Sequence, residues 1–538
     1  MSGSKESKDI LKQLIEEIKK RDDITLKEFI EKVRHKIREM GGLLTEEGAA
    51  LLVAKELGID AVKPTIKTTR LKIEDLVEGL SRVRLVCRVI DVDPPLIFKK
   101  ENRELKLAKI KVADESGTIS VTLWPPHVGL VENLQLELGD TIRIENARST
   151  RFRRRLELNI DERGAIVSVP HSKEIPSLSK ILGDEPKILE FTIISIKEPI
   201  QVETRWGIRP VSCIEGVTDN ERIRVVLWGR KANWVKYVKV GDLVRIRALL
   251  NTRKEFSIGG RKFIEYSTGS TTSVRRIGET SIETTRTELT VDEIEVDRLG
   301  FSVNIRGVLS ALLIDKGFRA VLCGTNNLVE IAMVHSSARL DVLKNSNRVC
   351  KVDLMISNLE PVPETRSLFE STLWSKCIPV SESDIFKNPD NVDSLDQVIV
   401  GRPFRVRARV EHVDVTLNYY CNYCGNAIGS AAHRCFDEKV LSITPVVTMG
   451  IVLDDGEMRV KGVSSDITLL ESLSSVNIRD VLDFFMKGEG IEPVLKYQLD
   501  LSVGKEYTFL CRSFNIKTTT LNGEMVIIRN EQGEVSGS

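Results

Sequence analysis

The chain has 538 residues, of which 41% are hydrophobic and 29% charged, and its formal net charge is +1. This composition excludes a disordered chain and predicts three to five globular domains. Because the net charge is near zero, attraction to nucleic acid would have to come from local basic clusters. No run of about 18 apolar residues predicts a membrane span, and the charged N-terminal segment does not resemble a secretory leader.

The nine cysteines are too few and too scattered for a disulfide scaffold in a chain of this length. An odd number without a secretory leader fits a reducing compartment, so we expect a cytoplasmic protein. Five cysteines stand singly in apolar stretches, as small buried core residues do. These are Cys87, Cys213, Cys323, Cys350 and Cys511.

Residues 8–60 have the apolar periodicity of helices. The first predicted helix presents Ile10, Leu11, Leu14, Ile15 and Ile18. Thr25 and Glu28 form a capping box at the start of a second helix, which Gly41 and Gly42 end. A third helix starts at Thr45. We predict an N-terminal helical module over residues 1–64 that serves packing or partner docking, with direct nucleic-acid contact as the alternative.

From about residue 68 the pattern changes to short strands, and it repeats. Residues 113–124 (ADESGTISVTLW) match residues 217–228 (VTDNERIRVVLW), and each is followed by a predicted helix and a Gly-Asp turn before the next strand. Fainter copies begin near residues 327 and 453. Five strands with a helix after the third are typical of the OB-fold, whereas a generic β-sandwich would not require that helix.

The sequence therefore predicts a mostly β chain in which four tandem OB-fold barrels follow the helical module. The predicted barrels cover residues 65–172, 173–280, 281–385 and 386–530. The third is degenerate, because Glu330, Ala332 and Val334 replace the cations and the aromatic residue of the first two. We expect it to be structural or to face a partner.

Strand alternation places basic and aromatic side chains together on the polar face of the first two barrels. Single-stranded nucleic acid is bound by that combination, through cations for phosphates and rings for bases. The alternative is that Trp124 and Trp228 pack beneath loops. Trp234 and Tyr237 belong to the predicted helix, and we expect them in the core. The residues predicted to contact nucleic acid are Arg82, Arg84, Lys109, Lys111, Trp124, Arg151, Phe152, Arg153, Arg154, Arg205, Trp206, Arg222, Arg224, Trp228, Phe256 and Phe263.

A cysteine-rich insert, CNYCGNAIGSAAHRC, spans residues 421–435 in the first inter-strand loop of the predicted fourth barrel. Cys421, Cys424, His433 and Cys435 can complete a tetrahedral structural zinc site. Because the His-x-Cys spacing is unusually tight, Cys377 is an alternative ligand, and a chance cluster is the other interpretation. Three tyrosines near the insert either stack on bases or wrap the loop: Tyr419, Tyr420 and Tyr423.

The repeated barrels, the Gly-Asp turn, the zinc insert and the segment GGLLTEEGAALLVAKELGI (41–59) together resemble the large subunit of archaeal replication protein A. The resemblance implies a nucleoid-associated protein that binds single-stranded DNA in replication, repair and recombination. It also implies base stacking on Trp124 and Trp228, with Phe152 and Phe256 as the aromatic residues of the late hairpin.

The same resemblance implies smaller OB-fold subunits and replication or repair proteins as partners. The sequence ends at VIIRNEQGEVSGS without the helix through which members of that family join smaller subunits, so we expect no assembly through that element. The helical residues 465–488 are the alternative interface.

Three competing functions remain open at this point. A ligase-like enzyme would need a nucleophilic lysine in a K-x-D-G setting, which the sequence lacks, as it lacks a P-loop and an H-E-x-x-H motif. We therefore expect no catalytic activity. RNA is an alternative ligand, and barrels that bind other proteins are an alternative role.

Overall fold

The computed structural model describes residues 15, 18–19, 24–39, 46–58, 71–100, 103–170, 175–258, 260–280, 288–295, 299–362, 368–429, 433, 435, 442–517 and 522–530. Strands account for most of these residues, which confirms the predicted mostly β chain. The chain forms two compact units, Met1–Val77 and Glu78–Ser538. Among the described helices, none has the length and apolar character that a membrane span requires.

The first unit contains helices α1 (Leu26–Glu39) and α2 (Glu46–Glu56) and a 3-10 turn at Ile73–Asp75. Helix α1 begins with the predicted capping box, in which the Glu28 carboxylate accepts from the Thr25 N–H at 2.8 Å. The apolar faces form one small core, made of Ile18, Ile24, Phe29, Val33, Ala49, Ala50, Val53 and Ala54. The predicted Ile10, Leu11 and Leu14 positions and the Gly41-Gly42 stop lie outside the described residues.

In the part of the second unit that the structure describes, the strands form four successive sets of five. In each set every strand pairs with two others, so the pairing returns to its start, and we call each set a circuit. Circuit 1 consists of β1 (Val83–Val92), β3 (Arg103–Ala113), β4 (Thr118–Leu123), β5 (Thr141–Phe152) and β6 (Arg155–Ile160). Two further strands lie at its edges, β2 (Leu96–Lys100) on β3 and β7 (Ala165–Ser168) on β5.

Circuit 2 consists of β8 (Lys187–Thr204), β9 (Gly207–Val217), β10 (Glu221–Trp228), β11 (Asp242–Ile258) and β12 (Arg261–Glu279). Circuit 3 consists of β14 (Val303–Leu313), β15 (Arg319–Cys323), β16 (Asn327–Ala332), β17 (Val352–Pro361) and β18 (Leu368–Glu382), with β13 (Glu288–Thr290) added to β14.

Circuit 4 consists of β20 (Pro403–Cys421), β22 (Ile443–Asp454), β23 (Arg459–Ser464), β24 (Glu506–Lys517) and β25 (Asn522–Asn530). Strands β19 (Asp390–Asn391) and β21 (Ala427–Ile428) pair with β20. Circuits 3 and 4 share one sheet, because β16 also pairs with β24.

All four circuits have the same strand order and a helix between the third and fourth strands. The third and fifth strands are parallel in each, whereas the other pairings within a circuit are antiparallel. The intervening helices are α3 (Gly129–Glu132), a 3-10 helix (Gly229–Lys236), α5 (Ser336–Leu343) and, in circuit 4, α6 (Ile467–Ser474), α7 (Ile478–Lys487) and α8 (Glu492–Asp500). Helix α4 (Leu178–Leu182) precedes circuit 2. The helices predicted within residues 465–488 are thereby confirmed.

A finer detail also recurs four times. Each first strand has a register shift, typical of a β-bulge, and beside it a residue with positive φ donates its N–H to the strand. The pairs are Gly139 to Val89, Gly241 to Ile193, Cys350 to Leu309 and Gly504 to Val410. The predicted Gly-Asp turn is therefore this feature in circuits 1 and 2, and Cys350 takes the place of the glycine in circuit 3.

The predicted burial of the single cysteines and of Trp234 is confirmed. The five single cysteines are buried, and so is Trp234. Burial raises the pKa of the Cys323 thiol to about 12, which keeps that side chain neutral.

Candidate nucleic-acid interface

Circuit 1 has an open groove of about 490 Å³ across the polar face of β3, β4 and the β5–β6 hairpin. It is lined by Asp91, Asp93, Lys109, Ile110, Lys111, Ser120, Phe152, Arg153, Arg155, Glu157 and Arg230. The predicted residues Lys109, Lys111, Phe152 and Arg153 therefore lie together, as strand alternation and the hairpin position indicated.

The floor of the groove consists of rows of side chains across paired strands. One row contains Lys111, Ser120 and Glu157, and the next contains Lys109 and Thr122. The Lys109 ammonium lies 2.9 Å from the Glu157 carboxylate, which also accepts from the Thr122 hydroxyl at 3.3 Å. This pairing fixes the Lys109 side chain along the floor.

Phe152 is the aromatic residue of the groove, and its side chain is 53% exposed at the end of β5. The Lys109 ammonium lies 5.1 Å from the centre of its ring and the Arg153 guanidinium 5.4 Å. The hairpin turn places Arg153 and Arg154 in positive-φ conformations. An exposed ring between two cations is suited to stacking on a base whose phosphates the cations contact.

Trp124 follows β4 and is half-buried, with its indole N–H donating to the Asn159 side chain at 3.2 Å. Four other predicted basic residues, Arg82, Arg84, Arg151 and Arg154 of the hairpin turn, lie outside the groove lining. Arg84 pairs with Glu145 at 3.6 Å, Arg151 pairs with Glu78 at 3.2 Å, and Arg82 is exposed just before β1.

The equivalent face of circuit 2 is covered. The prediction that Arg224 points to solvent is wrong, because its side chain is 4% exposed. Its guanidinium pairs with Glu215 at 2.9 Å and with Glu265 at 3.2 Å, on the two neighbouring strands. The predicted exposure of Phe263 is also wrong, since this ring is 1% exposed and stacks on Phe256 at 5.1 Å.

Residues of circuit 3 and the segment before it cover this face. The Phe301 ring packs edge-on against Phe263 at 5.2 Å and Phe256 at 6.0 Å. The Glu360 carboxylate contacts the Arg224 guanidinium and lies 3.0 Å from the Lys254 ammonium. The prediction failed because the residues that bury this face are distant from it in sequence, so the local pattern of the strand does not indicate them.

Other predicted contact residues of circuit 2 remain accessible. Trp206 is 65% exposed at the β8–β9 hairpin, with the Arg205 guanidinium 3.9 Å from the centre of its ring. Trp228 and Arg222 are half-buried. Tyr237, which was predicted to lie in the core, is instead half-buried and donates to the Pro95 carbonyl at 3.3 Å.

The predicted metal ligands lie together in the loop between β20 and β22. The ligand atoms of Cys421, Cys424, His433 and Cys435 are all within 4.8 Å of one another. A tetrahedral zinc site with bonds of about 2.3 Å to sulfur has ligand separations of about 3.8 Å, so the set fits a metal of this kind. Cys377, the alternative ligand, instead packs in the core of circuit 3.

The electrostatics of this cluster favour a thiolate at Cys424. Burial alone would raise its pKa, but hydrogen bonds from the Asn426 backbone and from His433, Cys435 and Cys421 outweigh burial and lower the pKa to about 7. Gly425 has φ of +70° and its Cα lies so close to α5 that a Cβ would stand 2.7 Å from the Ser336 carbonyl oxygen.

Two of the three nearby tyrosines are core residues. Tyr419 packs on Phe485, with ring centres 3.9 Å apart, and Tyr420 packs on Phe318 at 4.9 Å. Tyr423 is exposed.

Sequence reasoning missed several residues of the groove, namely Asp91, Asp93, Glu157 and Arg230, whereas Arg155 belongs to the basic hairpin run that was expected to contact phosphates. Acidic side chains repel phosphates, so a pattern of cations and rings does not indicate the acidic residues. Arg230 belongs to circuit 2, where the neighbouring Lys231 reaches back to Asp91 at 2.7 Å and to Asp93 at 2.8 Å. Only the docking of the two circuits brings Arg230 to the groove.

The fold and the groove together define a multi-circuit β protein with an exposed basic and aromatic surface. No family model matches the chain. The chain is 28% identical over 232 residues to a replication factor A of Methanothermobacter thermautotrophicus, covering 39% of this chain and 28% of that relative. It is 26% identical over 110 residues to the single-stranded DNA binding protein Ssb of Saccharolobus solfataricus, covering 20% of this chain and 71% of that relative.

The chain also has low-scoring matches among solved structures. A replication protein A heterotrimer bound to single-stranded DNA is 14% identical, with a TM-score of 0.25 over 86% of this chain and 95% of the matched chain. A replication factor A related protein from Methanobacterium thermoautotrophicum is 27% identical, with a TM-score of 0.17 over 20% of this chain and 94% of that one. The chain is thus homologous to archaeal replication factor A and Ssb proteins, as predicted.

Proposed function

We propose that this protein binds single-stranded DNA without sequence preference and protects it during replication, repair and recombination. The observation that supports the proposal is the groove of circuit 1, where Phe152 stands exposed between Lys109 and Arg153. Rings and cations bind any base and any phosphate, so this surface provides affinity without reading sequence. The homology to archaeal replication factor A and Ssb agrees with this assignment.

We assign each circuit to one OB-fold barrel, with domain boundaries at residues 65–172, 173–280, 281–385 and 386–530. The shared strand order, the parallel third and fifth strands and the recurring bulge support this division. The predicted contact residues of circuits 1 and 2 that remain accessible provide the DNA contacts, and Trp124, Trp206 and Trp228 are the further stacking candidates. We assign the helical module, circuit 3 and circuit 4 to structural roles or to partner proteins, including smaller OB-fold subunits.

The function is tested by titrating labelled oligonucleotides at several salt concentrations. We expect single-stranded DNA to bind far more tightly than duplex, with affinity falling at a log–log slope of about −0.7 per phosphate neutralised. An RNA strand in the same series separates DNA binding from RNA binding. Equal affinity for duplex and single strand would contradict the proposal, because a groove for unpaired bases cannot accept a base pair.

For the cysteine cluster we propose one structural zinc ion, held by Cys421, Cys424, His433 and Cys435. A closed set of four protein ligands leaves no position for a reacting water, and neither relative's name denotes an enzyme, so we assign no catalytic role. When bound, the metal would tie the loop to the end of β20.

Metal analysis of the purified protein tests the zinc proposal, together with Cys421→Ser and Cys377→Ser as the matched control. We expect Cys421→Ser to lose the metal and loosen circuit 4, since binding free energy at a structural site is folding free energy. Cys377→Ser should retain the metal. Absence of zinc from the parent, with unchanged melting of Cys421→Ser, would contradict the assignment.

A further inference from the structure

The groove of circuit 1 and the covered face of circuit 2 are equivalent surfaces, since the two circuits share their strand order and repeat after 104 residues. Lys111 and Ser120 in circuit 1 correspond to Glu215 and Arg224 in circuit 2. In circuit 1 this row is open to solvent along the groove. In circuit 2 it lies beneath residues 301–302 and Glu360.

The covering residues resemble a nucleotide in their chemistry. The Glu360 carboxylate places an anion beside the Arg224 guanidinium and 3.0 Å from the Lys254 ammonium, where a phosphate would bind. The Phe301 ring packs on the Phe256–Phe263 stack, where a base would bind. The Arg224 guanidinium also lies 4.6 Å from the centre of the Phe301 ring.

A second pair of contacts holds the same edge of circuit 3 in place. The Lys197 ammonium lies 2.6 Å from the Asn358 side-chain oxygen, and the Trp374 indole N–H donates to the Glu198 carbonyl at 3.0 Å. Two lysines of circuit 2, Lys197 and Lys254, therefore have acceptors from circuit 3. Both become available to phosphates if circuit 3 moves away.

We propose that Phe301 and Glu360 occupy the single-strand site of circuit 2 as an internal substitute for a nucleotide, and that a long DNA strand displaces them. This inference rests on the proposed function, because the competitor is the same single strand that circuit 1 binds. The consequence is two binding modes. A short strand binds only in the open groove of circuit 1. A longer strand continues past Arg230, displaces Phe301 and Glu360 from circuit 2 and binds in their place.

Zero-length carbodiimide coupling of the full chain, read by mass spectrometry, reports the contact directly. The Lys254–Glu360 pair should couple in the free protein and with a strand of about 6 nucleotides, and coupling should fall several-fold with a strand of about 25 nucleotides. The Lys106–Glu132 pair, 3.0 Å apart within circuit 1 and outside the groove lining, is the internal control. Unchanged Lys254–Glu360 coupling at saturating long strand would overturn the inference.

A variant gives the second measurement. Glu360→Gln removes the substitute anion, so the affinity for the long strand should rise about tenfold while the affinity for the short strand stays unchanged. Glu382→Gln, an exposed carboxylate elsewhere in circuit 3, is the matched control and should change neither. Unchanged or weaker long-strand binding by Glu360→Gln would overturn the inference. If the short strand fails to bind the parent at all, the proposed function fails instead.

Discussion

Circuits 1 and 2 share one strand arrangement but differ in the exposure of the equivalent face. In circuit 1 that face is open to solvent, and in circuit 2 it is covered. Across the equivalent row of strands, circuit 1 has Lys111, Ser120 and Glu157, whereas circuit 2 has Glu215, Arg224 and Glu265. The first row has one cation and one anion around a small hydroxyl, so it remains a hydrated groove. The second places one cation between two anions, which form a satisfied network that another circuit can bury. The difference shows that repeat position determines where a side chain points, while its neighbours determine whether solvent reaches it.

The largest expected effect comes from breaking the buried network. Arg224→Met leaves the carboxylates of Glu215, Glu265 and Glu360 without their cation, so the free energy of unfolding should fall by about 3–5 kcal/mol. Urea unfolding measures this. Arg84→Met in circuit 1 is the control, because Arg84 is an exposed ion-pair partner and its loss should cost less than about 1 kcal/mol. Similar small losses in both variants would show that circuit 2 is not closed in solution.

The sequence predicted the strand face of these residues but could not predict their burial. Alternation along β10 placed Arg222, Arg224 and Trp228 on one face, and residues 301–302 and Glu360 cover that face at Arg224. The covering residue Glu360 is 136 residues from Arg224, so no local pattern reports the contact. A partial signal was present, because Glu215 and Glu265 fall on the same face and neutralise Arg224.

All four members of the cysteine–histidine cluster were predicted, for the opposite reason. Its four ligands lie within residues 421–435, so their spacing alone determines whether they can meet. The groove of circuit 1 could be predicted from the sequence only in part. Strand pattern identified Lys109 and Lys111, and the basic hairpin run identified Phe152, while Arg230 enters only through the docking of circuit 2 onto circuit 1.

Phe152 and Phe256 lie in the equivalent hairpins of circuits 1 and 2, and truncation of each ring tests the difference between the open and the covered face. Phe152→Ala should weaken single-strand binding by about 1–3 kcal/mol and leave the free energy of unfolding within about 0.5 kcal/mol, because the ring is exposed. Phe256→Ala should instead lower the free energy of unfolding by about 2 kcal/mol, because its ring packs on Phe263 and Phe301. Oligonucleotide titration and urea unfolding of both variants separate the two effects.

The control for this pair is Tyr497→Ala, which removes an exposed ring from α8 in circuit 4. It should change neither binding nor unfolding. If Phe152→Ala behaves like Tyr497→Ala in the titration, the groove of circuit 1 is not the surface that stacks on bases.

Acid should weaken the closed face of circuit 2. Burial alone would raise the pKa of Glu215, but the charges of Arg224 and Lys197 and the Ser302 hydroxyl outweigh burial and lower it. Because the pKa of Glu215 is lower in the folded protein than the value of about 4.3 in the unfolded chain, its carboxylate stabilises the fold when the pH is above about 4.3. This contribution is lost as the pH falls through the folded pKa. The stability difference between parent and Glu215→Gln should therefore shrink between pH 5 and pH 3, as measured by urea unfolding at each pH. A difference that is constant with pH would contradict the network.

The smallest expected effect concerns one cation of the open groove. Lys111 is exposed on β3 and lines the groove, so it is placed to contact a single phosphate. Lys111→Gln should reduce the magnitude of the log–log salt slope by about 0.7 for a short strand, because one counterion fewer is released. Lys461→Gln, an exposed lysine of β23 in circuit 4, should leave the slope unchanged. Equal slopes for parent, Lys111→Gln and Lys461→Gln would mean that the phosphates follow a path other than the β3 edge of the groove, and the cations around Phe152 would then be the ones to test.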